Sequence, residues 1–151
     1  RQKNAELAKL AYGANYDQVM EAPVTIALFT DTDLQKRARK IARVGGVKNF
    51  TDEQLQYFMQ NLPAEFARYD AQQTSDYLAL NAGLVAMNLV LALTDQGIGT
   101  NIILGFDKSK INEVLDIEER FRPEVLITVG YAAEKVEPSY RLPVDEIIDK
   151  R

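Results

Sequence analysis

The sequence predicts one domain of mixed helix and strand, α+β or α/β, on three observations. Residues 77–94 carry no Lys, Arg, Asp or Glu, and this uncharged run of eighteen residues fits one long buried helix. Residues 23–29 and 125–129 are short apolar runs that read as buried strands, the first closed by Thr30-Asp-Thr-Asp33 and the second by Gly130-Tyr131. Around them lie segments whose apolar residues recur three and four apart, the period of amphipathic helices. With 151 residues, 46% apolar and 26% charged, and no repeat, low-complexity tract or long linker, a single domain over residues 1–151 is the expectation.

Taken in chain order, residues 5–12 read as a short helix with Leu7, Leu10 and Ala11 on one face and Gly13 as its stop. Residues 15–21 form a short connection or half-helix before the strand at 23–29. Leu34, Ala38, Ile41 and Ala42 make a helical stripe surrounded by Lys36, Arg37, Arg39, Lys40 and Arg43, and Gly45-Gly46 is expected to end that helix. Thr51-Asp-Glu-Gln54 has the spacing of a capping box, with Leu55, Phe58 and Met59 following on one face. Pro63 suits the first turn of another helix through about residue 73. The long helix is expected over 75–96, then a strand at 100–104. Asp107 is placed to cap a short helix carrying Ile111, Val114 and Leu115, and Arg122-Pro123 to precede the strand at 125–129. Residues 139–143 read as extended and 144–148 as a last helical turn.

The long helix has about the minimum length for crossing a bilayer. It also holds Asn81, Gly83 and Asn88 and is bordered by acids, Asp76 and Asp95, where a membrane span favours basic or aromatic anchors. The expectation is a helix buried on nearly all faces of a soluble protein, partly against a second subunit. Asn81 and Asn88 stand seven apart and share a face. They read as a pair that sets register across a dimer seam, as local hydrogen bonders, or as a cavity lining.

Composition narrows the chemistry. A net charge of −4 argues against general nucleic-acid binding. Without cysteine there is no disulfide, thiolate nucleophile or thiolate metal site, and a cytoplasmic location is the expectation. Without histidine there is no Ser-His or Cys-His machinery and no His-ligated zinc. An enzyme of this composition relies on a cofactor, and no metal site is expected. The opening Arg1-Gln-Lys-Asn, with neither a Met nor a signal peptide ahead of an amphipathic pattern, reads as part of a longer protein.

Three stretches in this order resemble the nitroreductase family of flavin enzymes. They are Gly83-Leu-Val-Ala-Met-Asn88-Leu-Val-Leu-Ala, Gly97-Ile-Gly-Thr-Asn-Ile-Ile-Leu-Gly105-Phe-Asp107, and Val129-Gly130-Tyr131 followed by Tyr140-Arg141-Leu142-Pro143. Ala14-Asn15 and Ala22-Pro23 also stand where that family has an Asn and an Ala-Pro. The resemblance implies a three-layer α+β fold: a central, mostly antiparallel sheet flanked by helices, with the long helix at the centre of a homodimer. It implies bound FMN, NAD(P)H as reductant, and a nitroaromatic, quinone or related small molecule as electron acceptor. It places residues 34–74 as a helical insertion over the active site, where Phe50, Tyr57, Phe58, Phe66 and Tyr69 supply its aromatic content. The family's leading Arg-Arg-Ser-like segment, which grips the FMN phosphate, has no counterpart here.

The same resemblance implies residue roles. Ile102, Ile103, Leu104 and Gly105 line the flavin ring, with the backbone amides of Leu104 and Gly105 turned toward its N5/O4 edge as the catalytic donors. Spacing alone reads this stretch as a buried strand ending in a turn glycine. Asn15 is implied at the pyrimidine edge and Gln18 near it; both also read as loop amides that cap a helix. Arg141 is implied at the phosphate, with Ser139 where the family often has a Lys; its other reading is a surface Arg in an ion pair. The basic run 36–43 reads either as a site for a nicotinamide-nucleotide phosphate or, more commonly for such runs, as a solvated helix face. Two rival functions are a flavin-dependent dehalogenase or dehydrogenase on the same scaffold, and a flavin-free dimeric scaffold.

Overall fold

The computed structural model describes residues 2–47, 49–134 and 140–149. Its sheet has three strands, β1 (Val24–Asp31), β2 (Gly99–Ile103) and β3 (Phe121–Gly130), in the order β1-β3-β2 with both pairings antiparallel. That settles α+β over α/β. β3 is the central strand, and residues 124–128 along it are buried.

Side chains alternate across a strand, so β3 feeds two cores. Leu126 joins Leu7, Ala8, Leu10, Val19, Ile103, Phe106 and Ile111 on one face. Apart from Ile103 of β2, these come from α1 (Gln2–Ala8), α2 (Asn15–Glu21), α7 (Ile111–Leu115) and the segments beside them. Val125 and Ile127 meet Ala86, with Leu89 and Val90, on the other face. That second cover is the long helix α6 (Ala71–Asp95), so the layers are helices, sheet and one long helix. The remaining helices are α3 (Leu34–Val47), α4 (Asp52–Gln56), α5 (Leu62–Phe66) and α8 (Val144–Ile147), with a π-helical turn at Tyr57–Asn61 joining α4 to α5.

Several elements differ from expectation. The first helix spans Gln2–Ala8 rather than 5–12, because the chain leaves it to bridge Ala11 to Phe106. α3 runs through Gly45-Gly46 to Val47, and Asn49 then takes a left-handed φ of 59°. A helical glycine costs only about 1 kcal/mol, which packing of Leu34, Ala38 and Ala42 outweighs. The capping box at Thr51 is present, but the helix at Pro63 ends at Phe66 rather than near 73. The reason is a second capping box: Asp70 accepts from the Gln73 amide at 2.7 Å while the Gln73 side chain accepts from the Asp70 amide at 3.0 Å, and α6 starts there. At its other end Gly97, with φ of 73°, lets the amides of Gly97 and Ile98 close on Thr94 and Leu93.

β3 begins at Phe121 and carries Pro123 inside it. Pro lacks the N–H that a ladder needs, and the register slips there: Leu28 pairs with Val125 but Phe29 with Pro123, leaving Glu124 as the bulged residue. Glu124 accepts from the Thr30 hydroxyl at 2.5 Å and from Arg122 Nε at 2.7 Å, and Arg122 also donates to Ser75 at the start of α6. Asp107 does not cap α7, whose first turn is entered from Lys110. It closes its own turn instead, accepting from the Ser109 hydroxyl at 2.6 Å and amide at 3.0 Å. These two bonds, aided by Lys110 at 3.9 Å, hold its carboxyl below the usual value.

α6 is long and apolar enough to cross a membrane by length and composition, and within one chain it is buried along one stripe. Leu78, Ala82 and Ala86 form its buried stripe, and the two alanines let it lie close on the sheet. Leu80, Leu84, Val85, Met87 and Leu91 are exposed, Leu84 to 64%. One chain offers one sheet face, so only one stripe of an all-apolar helix can be covered within it.

Candidate functional site

The turn after β2 is tied to the turn between α1 and α2. The Gly105 carbonyl accepts from the Tyr12 amide at 2.9 Å and from Asn15 Nδ2 at 3.2 Å. The Asp107 amide donates to Leu10 at 2.8 Å. A Cβ added at Gly105 would stand 2.8 Å from Asn15 Nδ2, so glycine is what allows this approach. Asn15 therefore spends its donor on holding the loop and keeps its Oδ1 as an acceptor.

The amides of Leu104 and Gly105, among the described residues, donate to no carbonyl or side chain. Side chains alternate along this segment. Ile102 and Leu104 are exposed, by 42% and 68%, whereas Ile103 is 1% exposed and belongs to the core with Leu126. Ile103 thus points away from the face on which Ile102 and Leu104 stand, and its side chain contributes packing rather than a lining surface. Ile102 and Leu104 line a groove of about 340 Å³ whose other wall is Ala79, Ala82, Gly83 and Met87 of α6. Lys108 and Glu124 line the same groove. Neither stood out in the sequence, since a lysine beside a serine and an acid after a proline carry no motif.

Gln18 is brought beside this loop through Asn101 of β2, whose Nδ2 donates to Gln18 Oε1. Arg141 is not brought to it by any described contact. Its guanidinium is exposed and donates to the neighbouring Tyr140 carbonyl at 2.8 Å. Ser139 lies outside the described residues. Asn81 takes the local option, donating to the Tyr77 carbonyl at 2.7 Å. The aromatic residues of 50–69 pack among themselves and on α6, with Phe50 stacked on Phe58 at 5.3 Å and Phe66 against Tyr77 at 5.3 Å. Among the described residues no cluster of three Asp or Glu could hold a metal ion.

Comparison with known proteins meets this geometry. The sequence profile of the Nitroreductase family matches residues 2–131. The chain belongs to the nitroreductase family. A Streptococcus pyogenes serotype M6 protein named "Putative NAD(P)H nitroreductase Spy0809" is 61% identical over 151 residues, covering 100% of this chain and 75% of that protein. The crystal structure of a nitroreductase family protein from Streptococcus pneumoniae TIGR4 is 84% identical, with a TM-score of 0.95 over 100% of this chain and 76% of that one. A protein from Exiguobacterium sibiricum 255-15 solved in complex with FMN is 29% identical, with a TM-score of 0.87 over 98% of this chain and 71% of its own. The α+β layers, the three-stranded antiparallel sheet and the long helix are the nitroreductase fold, and the family is one of oxidoreductases.

Proposed function

We propose that this nitroreductase is an FMN-dependent enzyme that carries reducing equivalents from NAD(P)H to nitroaromatic, quinone or related acceptors. The observation that supports it best is the pair of amides at Leu104 and Gly105, which have no acceptor among the described residues and lie beside an exposed apolar face. A flavin ring has an apolar body and a polar edge of carbonyls and nitrogens, which this arrangement fits. Bound FMN would supply the hydride and electron chemistry for which a chain without His or Cys has no side chains. The amides would act as fixed dipoles toward the charge that develops at the ring's edge. The Asn15 Oδ1 would accept from the pyrimidine N–H, and Gln18, whose Nε2 has no acceptor among the described residues, would donate near the same edge. Arg141 would pair with the phosphate.

The reading includes a homodimer built on the exposed face of α6, in the cytoplasm. Among the described residues, none of 34–74 lines the groove of Ile102 and Leu104 within one chain. Their covering role therefore falls on the groove of the partner copy.

The test is anaerobic NAD(P)H oxidation with a nitroaromatic, a quinone or a halogenated phenol as acceptor, after an absorbance scan for flavin. Reduction of the nitro or quinone acceptor supports the reading. Dehalogenation alone favours the rival chemistry, and a chain that binds no added FMN refutes a flavin role. Arg141→Ala should weaken FMN affinity about tenfold or more, the worth of a charge-assisted contact. Equal affinity in a flavin titration would remove Arg141 from the site.

A further inference from the structure

We propose that the cavity between α3 and the β1 side of the sheet is a second binding site, one for a small organic anion with a flat apolar body. The cavity has a volume of about 640 Å³, within the range of small-molecule sites. Phe29, Phe50 and Phe121 give it an aromatic lining, and Lys36, Arg37 and Lys40 of α3 stand with Arg120 around it.

Among the described residues, no carboxylate forms an ion pair with the cations that α3 brings to this cavity. α3 carries Lys36, Arg37, Arg39, Lys40 and Arg43 and no acid, although the whole chain is at −4. Lys36 and Lys40 stand four apart and Arg37 and Lys40 three apart, the spacings at which like charges on a helix repel. Among the described residues, none of these three forms an ion pair. The lining acid, Asp31, faces Arg120 at 3.8 Å, and Glu118 also lies within ion-pair range of Arg120 at 3.3 Å. Both carboxylates are thus directed at Arg120 rather than at α3. Arg120 also lies over the Phe121 ring at 4.5 Å.

A solvated basic face would need no aromatic cavity beneath it, and a purely apolar cavity would not be bordered by Lys36, Arg37 and Lys40, which form no ion pair among the described residues. A ligand with a conjugated body and a carboxylate or phosphate answers both features, by stacking on the phenylalanines and relieving the repulsion along α3. β1 and β2 are opposite edges of the sheet with β3 between them, about 10 Å apart by strand spacing. A ligand here is therefore bound apart from the Leu104–Gly105 turn, and the inference does not depend on the flavin reading.

The test is calorimetric titration of the full, flavin-loaded chain with 1-naphthyl phosphate, 1-naphthol and inorganic phosphate, with amide NMR shifts to locate binding. The expected result is one equivalent of 1-naphthyl phosphate, bound at least about tenfold more tightly than either fragment, with shifts at Phe29, Ile41 and Phe121. The double variant Lys36→Gln/Lys40→Gln should weaken it about tenfold or more while flavin content and melting temperature stay unchanged. Three results would each overturn the proposal: equal affinity in the double variant, 1-naphthol binding as tightly as the phosphate ester, or shifts confined to the Leu80, Leu84 and Leu91 face of α6.

Discussion

Replacing Leu84 with Asp separates the fold from the assembly. In one chain Leu84 is 64% exposed, so its loss removes only about a third of a leucine's burial, roughly 0.5–1 kcal/mol. The five exposed large apolar residues of α6 retain nearly three full side chains of uncovered surface, worth roughly 4–9 kcal/mol per protomer if a partner covers it. A two-fold interface doubles that figure and sets it against an association cost of roughly 4–15 kcal/mol, so the balance is narrow. The same symmetry puts two carboxylates into one seam. At about 3 kcal/mol each for burying an unpaired polar group, the pair costs roughly 6 kcal/mol, about four powers of ten in dissociation constant. Sedimentation velocity at micromolar protein should therefore show monomers for Leu84→Asp, with the far-ultraviolet dichroism of the parent. Leu89→Asp is the contrast, because Leu89 packs against Val125 and Ile127 in the sheet core, and this variant should unfold. A folded Leu84→Asp that sediments as a dimer would falsify the assignment of this face to the interface.

Other outcomes follow from the same contacts. Gly105→Ala should push Asn15 off the Gly105 carbonyl, at about 1 kcal/mol in urea unfolding, and should reduce FMN affinity more than stability. Glu124→Ala removes both the acceptor of Thr30 and the partner of the half-buried Arg122, and should cost about 3 kcal/mol by chemical denaturation. Glu124→Gln should recover part of that loss, because its amide oxygen still accepts. Asp107 has a folded pKa below the ordinary 3.8, so its contribution is fully present above that value and is lost as pH falls through the lower folded value. Asp107→Asn should therefore flatten stability against pH at the acid end, measured by melting temperature between pH 2 and 5, and change little near neutrality.

Local patterns were legible where they act locally. The half-helix at Asn15–Glu21, the Thr51 capping box, the strand at Val24–Asp31 and the final turn at Val144–Ile147 depend on neighbours within a few residues, and all are present near their expected places. At Gly45-Gly46 tertiary packing carries the helix through a weak local preference for a stop. Pro123 departs from expectation for a related reason. A proline argues against a central strand unless a bulge accommodates it, and the bulge shows only when β1 is laid against β3. The family resemblance singles out Asn15, Leu104 and Gly105, and the fold brings Asn15 and Gly105 together. Ile103 was not separable from Ile102 and Leu104, because which side of β2 faces the core depends on its pairing with β3.

Residue types and their order sufficed for the family, for the absence of histidine and cysteine chemistry, and for one long uncharged helix beside two buried strands. These depend on composition and on periods that a chain carries whatever surrounds it. Other features needed the folded chain: which stripe of α6 is covered, the joining of Gly105 to Asn15 across 90 residues, and the closing of a basic helix over an aromatic cavity. Each is a contact between segments distant in sequence. A periodic pattern shows that a face is apolar, but only the packing of partners shows whether that face is met by the sheet or left for something else.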